Sequence, residues 1–158
     1  AEINLNAGSA AIRNAQLANI AAEKIGAAPI EINEAALERS AELNVKGVRT
    51  KLRLTKNPAS WREALPSIRS NNVILILNAR EVDGIDTSWL WDIDFSSLKG
   101  KKIAVTGERA LDMVYRLHVQ GIDSKDFKDF ESAAGHFEKN SNVDVLAAYT
   151  AFHGLVRA

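Results

Sequence analysis

The side chains best suited to chemistry are concentrated between Asn78 and Asp94. Glu81, Asp83, Asp92 and Asp94 surround Asp86, and Trp89 and Trp91, two of the three tryptophans, stand among them. Carboxylates at this density can hold Mg²⁺, a hard cation that prefers oxygen ligands. They are also the residues of a solvated turn, and Asp83-Gly84 is an ordinary turn dipeptide. The indoles can pack in a core or anchor a partner, since tryptophan is enriched at interface hot spots. Residue types alone favour turn plus core packing. Thr106-Gly107-Glu108-Arg109 joins a predicted strand to a predicted helix, where free amides at the helix start can receive an anion. A lone glycine is a weak signal, and no G-x-x-x-x-G-K-[ST] phosphate loop occurs, so ATP chemistry cannot be complete in this chain. His118, His136 and His153 match no metal-ligand spacing and read as surface or satisfied core residues. Cysteine is absent, which excludes disulfides, cysteine-ligated zinc and a thiol nucleophile.

The elements that must position these residues follow from periodicity. Val73-Ile74-Leu75-Ile76-Leu77 is a continuous aliphatic run, as in a strand covered on both faces. Val48–Leu54 alternates, with Val48, Thr50, Leu52 and Leu54 against Arg49, Lys51 and Arg53. That pattern predicts a strand with one wet face near a sheet edge. Residues 102–105 and 143–147 are two more strands. Ala110, Met113, Val114, Leu117 and Gly121 recur at helical spacing, as do Phe130, Ala133, Ala134 and Phe137. Upstream, an Ala-rich helix is expected over 9–25, capped by Ser9 and stopped by Gly26 and Pro29. A short helix is expected over 33–41, capped by Asn33. Strands alternating with helices predict an α/β, Rossmann-like domain with a mostly parallel sheet flanked by helices. Ligands of such sheets bind beyond the carboxyl ends of the strands. That rule points to Thr55-Lys56-Asn57-Pro58, the segment after Leu77, Thr106–Arg109 and Tyr149-Thr150. Loops are polar in any case, so position alone does not separate function from solvation.

The totals describe an ordinary globular chain of 158 residues, 46% hydrophobic and 25% charged. Twenty basic residues balance twenty acidic ones, which gives no footprint for nucleic acid or an anionic membrane, both of which need clustered positive charge. No apolar run is long enough to span a bilayer, and a cytoplasmic setting is expected. The chain starts at Ala1 and stops at Ala158 inside a helix-like segment, which suggests a piece of a longer protein.

Four motifs then carry a resemblance: Lys56-Asn57-Pro58-Ala59, Asp83-Gly84-Ile85-Asp86-Thr87-Ser88-Trp89-Leu90-Trp91-Asp92, Thr106-Gly107-Glu108-Arg109-Ala110, and Tyr149-Thr150-Ala151. In this order they resemble the carboxy-terminal domain of the MurT-type Mur ligases, over residues 39–158. Residues 1–38, with an Asn14-Ala15 pair, are similar to the end of the Mur ligase central domain and its linker helices.

The resemblance implies one domain of the synthetase subunit of a two-subunit, ATP-dependent amidotransferase. In that family the α-carboxylate of D-glutamate in the lipid II stem peptide is activated as an acyl phosphate. Ammonia from a GatD-type glutaminase converts it to D-isoglutamine at the inner face of the membrane. ATP and Mg²⁺ belong to the full-length subunit, and this piece alone is expected to be inactive. The partner supplies a cysteine and a histidine, and the second aspartate of D-G-x-D-x-S-W completes the triad in trans. That residue is Asp86. Ser88, Trp89 and Trp91 are implied to shape the docking loop. Lys56, Asn57, Thr106, Arg109 and Thr150 are candidates for the substrate or nucleotide side. The family usually has Asn-Asp at Asn78-Ala79, Arg at Ile85 and Gly at Ser60. The alternatives are an ordinary amino-acid-adding Mur ligase domain, which the D-G-x-D-x-S-W motif opposes, and a noncatalytic α/β interaction module.

Overall fold

The structure, a computed structural model, describes residues 10–29 and 40–157. The chain divides into two units, Ala1–Arg39 and Ser40–Ala158. In the first, helix α1 spans Ala10–Lys24. It ends where Gly26 adopts φ +75 and the amide of Ala27 reaches back to the carbonyl of Ala22 at 2.9 Å, a Schellman closure. The expected cap Ser9 and residues 33–39 of the second expected helix lie outside the described residues. Ser40 and Ala41, placed at the end of that helix by the sequence reading, belong instead to a strand.

The second unit is built on six strands in the order β1-β2-β6-β3-β4-β5. They are β1 (Ser40–Val45), β2 (Val48–Leu54), β3 (Asn72–Ile76), β4 (Lys102–Thr106), β5 (Lys125–Asp126) and β6 (Asn142–Ala147). Only β1 and β2 are antiparallel. Their hairpin turns on Lys46 (φ 53) and Gly47 (φ 82), two residues with positive φ whose twist matches that of the paired strands. β2 buries Val48, Thr50 and Leu52 and leaves Arg49 and Lys51 exposed, the expected alternation.

β3 lies between β6 and β4, and its residues Val73–Ile76 are all buried. Alternate side chains serve two cores. Val73, Leu75 and Leu77 join Trp61, Phe95, Met113 and Leu117 on one side. Ile74 and Ile76 join Val145, Ala133, Phe137 and Phe152 on the other. Each fully buried aliphatic side chain contributes about 1.5–3 kcal/mol through removal from water.

Four helices flank this sheet: α2 (Pro58–Ala64), α3 (Ala110–Val119), α4 (Phe130–Ala134) and α5 (Tyr149–Arg157). α2 starts with a reciprocal cap. Asn57 Oδ1 accepts the Ser60 amide and Ser60 Oγ accepts the Asn57 amide, both at 3.0 Å, with Pro58 at the first helical turn. Serine at position 60, where the resembled family usually has glycine, therefore completes a cap that glycine could not. No helix among the described residues is long and apolar enough to cross a membrane.

Candidate functional site at the carboxyl edge of the sheet

β2, β6, β3 and β4 are mutually parallel neighbours, so their carboxyl ends share one edge. Three of the segments expected there meet through hydrogen bonds. Asn78, two residues past β3, donates from Nδ2 to Thr150 Oγ1 at 2.9 Å and accepts the Glu108 amide on Oδ1 at 3.1 Å. Asp83 accepts the Thr150 amide on Oδ1 at 2.8 Å and the Thr150 hydroxyl on Oδ2 at 2.6 Å. Arg80 pairs with Glu108 at 2.7 Å, which raises the guanidinium pKa, first through the hydrogen bond and then through the charge. A cleft of about 440 Å³ opens at this junction, lined by Asn78, Thr106, Gly107, Glu108, Lys128 and Thr150 among others.

Three amides at this strand–helix joint are taken within the fold, while no side chain caps the first turn of α3. Glu108 N–H is taken by Asn78, Arg109 N–H donates to Leu77 O at 3.0 Å, and Ala110 N–H donates to Gly107 O at 3.2 Å. This turn is a structural joint between β4 and β3. Gly107 has φ +106, and a Cβ there would stand 2.4 Å from the Leu77 carbonyl oxygen, so only glycine fits.

The loop that bears Asp86 is fastened at three places. Asp83 holds its start to Thr150. Thr87 donates to Asp112 Oδ2 at 2.9 Å, and Asp112 also takes Arg109 Nε at 2.6 Å. Arg116, buried in α3, closes its far end, with Nε on Leu90 O at 2.9 Å and Nη2 on Ile93 O at 2.8 Å. The same guanidinium lies 5.1 Å from the Trp91 ring centre and 5.9 Å from that of Phe95. Between these points residues Ser88–Asp92 form a 3₁₀ turn.

Asp86 itself is exposed. Its Oδ1 accepts the Ser88 amide and its Oδ2 the Ser88 hydroxyl, both at 2.8 Å. The amide bond first, then the hydroxyl, holds its pKa below the usual carboxylate value. Each carboxylate oxygen has a second lone pair, so the group can still accept a donor from outside.

Beside it lies a second cleft, of about 330 Å³, lined by Thr87, Ser88, Trp91, Arg109, Leu111 and Tyr115 among others. Three of its apolar members are uncovered, while Leu90 is buried. Trp91 is 53% exposed, Leu111 70% and Tyr115 61%, and the Trp91 and Tyr115 rings meet edge to face at 6.2 Å. Leu111, Tyr115 and Val119 follow one another at four-residue spacing on the outer face of α3.

The sequence-derived candidates thus separate into groups. Thr106 and Thr150 line the first cleft; Ser88, Trp91 and Arg109 line the second. Lys56 and Asn57 line neither, and the Asn57 side chain caps α2. Trp89 is half-buried against the core, with its ring 6.3 Å from Trp61. The acids of the loop do not gather round a cation site. Asp83 serves Thr150, Asp86 serves Ser88, and Asp94 serves Ser96 at 2.9 Å. Among the described residues no three His, Asp or Glu side chains form a metal-ligand group. Asn78, Asp112 and Arg116 were missed by sequence reasoning. Arg116 falls three residues after Met113 on the buried face of its helix, and that position was its only signal.

The family model described as MurT ligase C-terminal matches residues 54–152. The lipid II isoglutaminyl synthase (glutamine-hydrolyzing) subunit MurT of Streptococcus pneumoniae is 31% identical, over 62% of this chain and 25% of that protein. The subunit of the same name from Staphylococcus aureus is 35% identical, over 46% of this chain and 18% of that protein. The chain therefore spans a quarter or less of the length of these relatives. A solved UDP-N-acetylmuramoyl-L-alanyl-D-glutamate–2,6-diaminopimelate ligase superposes on 86% of this chain and 32% of its own, with a TM-score of 0.43 and 16% identity.

Proposed function

This chain belongs to the MurT ligase C-terminal family, and from that membership we propose that it is the carboxy-terminal domain of the synthetase subunit of a glutamine-dependent amidotransferase. The full subunit would amidate the D-glutamate α-carboxylate of the lipid II stem peptide at the inner face of the membrane. This domain would lend a carboxylate, Asp86, to a GatD-type glutaminase bound to it as a heterodimer.

The observation that carries this reading is the exposed Asp86 carboxylate, fixed by Ser88 beside an uncovered apolar face. In a cysteine–histidine dyad a third group that accepts from the imidazole sets its tautomer and stabilises its charged form. The two Ser88 hydrogen bonds favour the ionised form of Asp86. Arg116, Asp112 and Thr150 hold the loop so that the carboxylate is presented without a search for its geometry. Trp91, Leu111 and Tyr115 supply the aromatic and aliphatic area on which such a partner docks.

ATP and Mg²⁺ would be held by the remainder of the full-length subunit. No G-x-x-x-x-G-K-[ST] phosphate loop occurs in this chain. The residues of the first cleft, with Thr106 and Thr150, face the substrate side in this reading.

The test is to mix the full-length synthetase subunit with its glutaminase and measure ammonia released from glutamine. Stimulation well above the glutaminase alone supports the reading. Unchanged release rejects it in favour of an ordinary Mur ligase domain or an interaction module.

A further inference from the structure

A groove of about 780 Å³ runs along the wet face of the β1–β2 hairpin and reaches the loop that precedes β3. It meets the amino ends of β3 and β6, the sheet edge opposite the Asp86 loop. Four cations line it: Arg49, Lys51 and Arg53 from β2, and Arg69 from the loop. On a strand, alternate residues stand about 6.6 Å apart, so the first three form a row roughly 13 Å long. Glu42 and Asp144 are the acids in the lining. Asp144 is buried and accepts the amides of Arg69 and Ser70 on Oδ2, each at 2.9 Å. Glu42 stands opposite Lys51 in register, yet the two form no ion pair. Four charges against two is a local surplus in a chain that is neutral overall.

Arg49 donates to Asn142 Oδ1 and to the Asn140 carbonyl, each at 2.9 Å, but the other three cations are incompletely served. Lys51 and Arg69 have no side-chain hydrogen bond or ion pair among the described residues. Arg53 donates from Nη1 to Ser67 Oγ, but its Nε is buried without a partner. A buried N–H lacking an acceptor is costly and uncommon, and it marks a place where an acceptor is missing. Protection of a sheet edge does not explain the row, because β1 is the outer strand and β2 lies inside it. We propose that this groove binds a ligand carrying two or more phosphate groups. Such an extended oligoanion matches a line of cations, and phosphate oxygens accept the paired N–H groups of arginine. This inference stands on the groove alone and is independent of the reaction proposed above.

Inorganic pyrophosphate titrated into the isotope-labelled chain should shift the amides of Arg49–Arg53 and Arg69–Asn72 saturably. In the double variant Lys51→Glu/Arg69→Glu the affinity should fall by about tenfold or more, the size of losing one charge-assisted contact. Lys99→Glu, outside the groove, should change nothing. Lys51→Gln is a milder second variant expected to weaken binding severalfold. A parallel flotation assay uses phosphatidylcholine vesicles with and without cardiolipin, whose headgroup carries two phosphates. Flotation that needs cardiolipin and is lost in the double variant identifies lipid headgroups as the source. Pyrophosphate binding without flotation identifies a soluble ligand. If neither probe shows binding sensitive to these variants, the proposal is overturned.

Discussion

Replacing Arg116 with methionine should destabilise the second unit and loosen the loop that carries Asp86. The guanidinium donates two hydrogen bonds, at 2.9 and 2.8 Å, to Leu90 O and Ile93 O. Hydrogen bonds from a charged donor contribute about 1.5–3 kcal/mol each, and partly exposed stacking on an aromatic ring about 0.5–1 kcal/mol. Methionine keeps much of the packing volume and no longer requires a buried charge, which recovers part of the loss. The net cost is about 2–4 kcal/mol. For a unit the size of Ser40–Ala158 this corresponds to a fall in Tm of roughly 6–20 °C, by the usual scaling with chain length. Circular dichroism melting reads the first effect. Hydrogen exchange at Leu90 and Ile93, whose amides close the turn onto Thr87 and Leu90, reads the second. Exchange there should quicken by about tenfold or more. Arg116→Lys, which keeps the charge but not the fork, should fall between. A loss under about 0.5 kcal/mol with unchanged exchange would refute the clamp, because the two carbonyls would then be served equally well by water.

Gly107→Ala should cost more than about 3 kcal/mol in urea unfolding, since its Cβ would sit 2.4 Å from Leu77 O at φ +106. Leu111→Asp and Tyr115→Asp should leave the melting temperature within a few degrees, because both side chains are largely exposed, yet weaken binding of a glutaminase partner by about tenfold or more. His136 has a pKa lowered from 6.5 by burial first and then by Lys102 and Lys125. The folded state therefore favours the neutral ring. Its contribution is present above pH 6.5 and is lost as pH falls through the lower folded value, and a His136→Phe variant should lack that step in a stability–pH profile. For Asp86 the folded pKa is likewise depressed from 3.8, so Ser88→Ala should bring it back towards the ordinary value in a side-chain NMR titration.

Much of the sheet was legible in the sequence. The alternation over 48–54 gave β2 its bounds, and the unbroken aliphatic run at 73–77 marked the strand buried on both faces. β1 was missed because Ser40, Glu42 and Asn44 are poor strand formers and its inward set is only Ala41, Leu43 and Val45. The signal was there in Lys46-Gly47, a two-residue turn ahead of an alternating segment. β5 has two residues, too short for any periodicity to register. The meeting of the segments after β3, β4 and β6 was legible from the rule that parallel strands share a carboxyl edge. Its internal wiring was not. Asp83 reaches Thr150 across 67 residues, and Asn78 reaches Thr150 across 72. No local pattern encodes such contacts. The loss of the Glu108 and Arg109 amides to Asn78 and Leu77 was hidden for the same reason, since those acceptors follow a different strand.

The most direct measurement is glutamine hydrolysis by the glutaminase partner in complex with a full-length synthetase subunit bearing Asp86→Asn. Asp86 is exposed and, among the described residues, hydrogen-bonds only to Ser88, so the variant should fold and still bind its partner. Turnover should drop by about two orders of magnitude or more, as when a triad loses the carboxylate that orients its imidazole. Turnover within about threefold of the unaltered complex, with binding intact, would contradict a carboxylate lent in trans from this position.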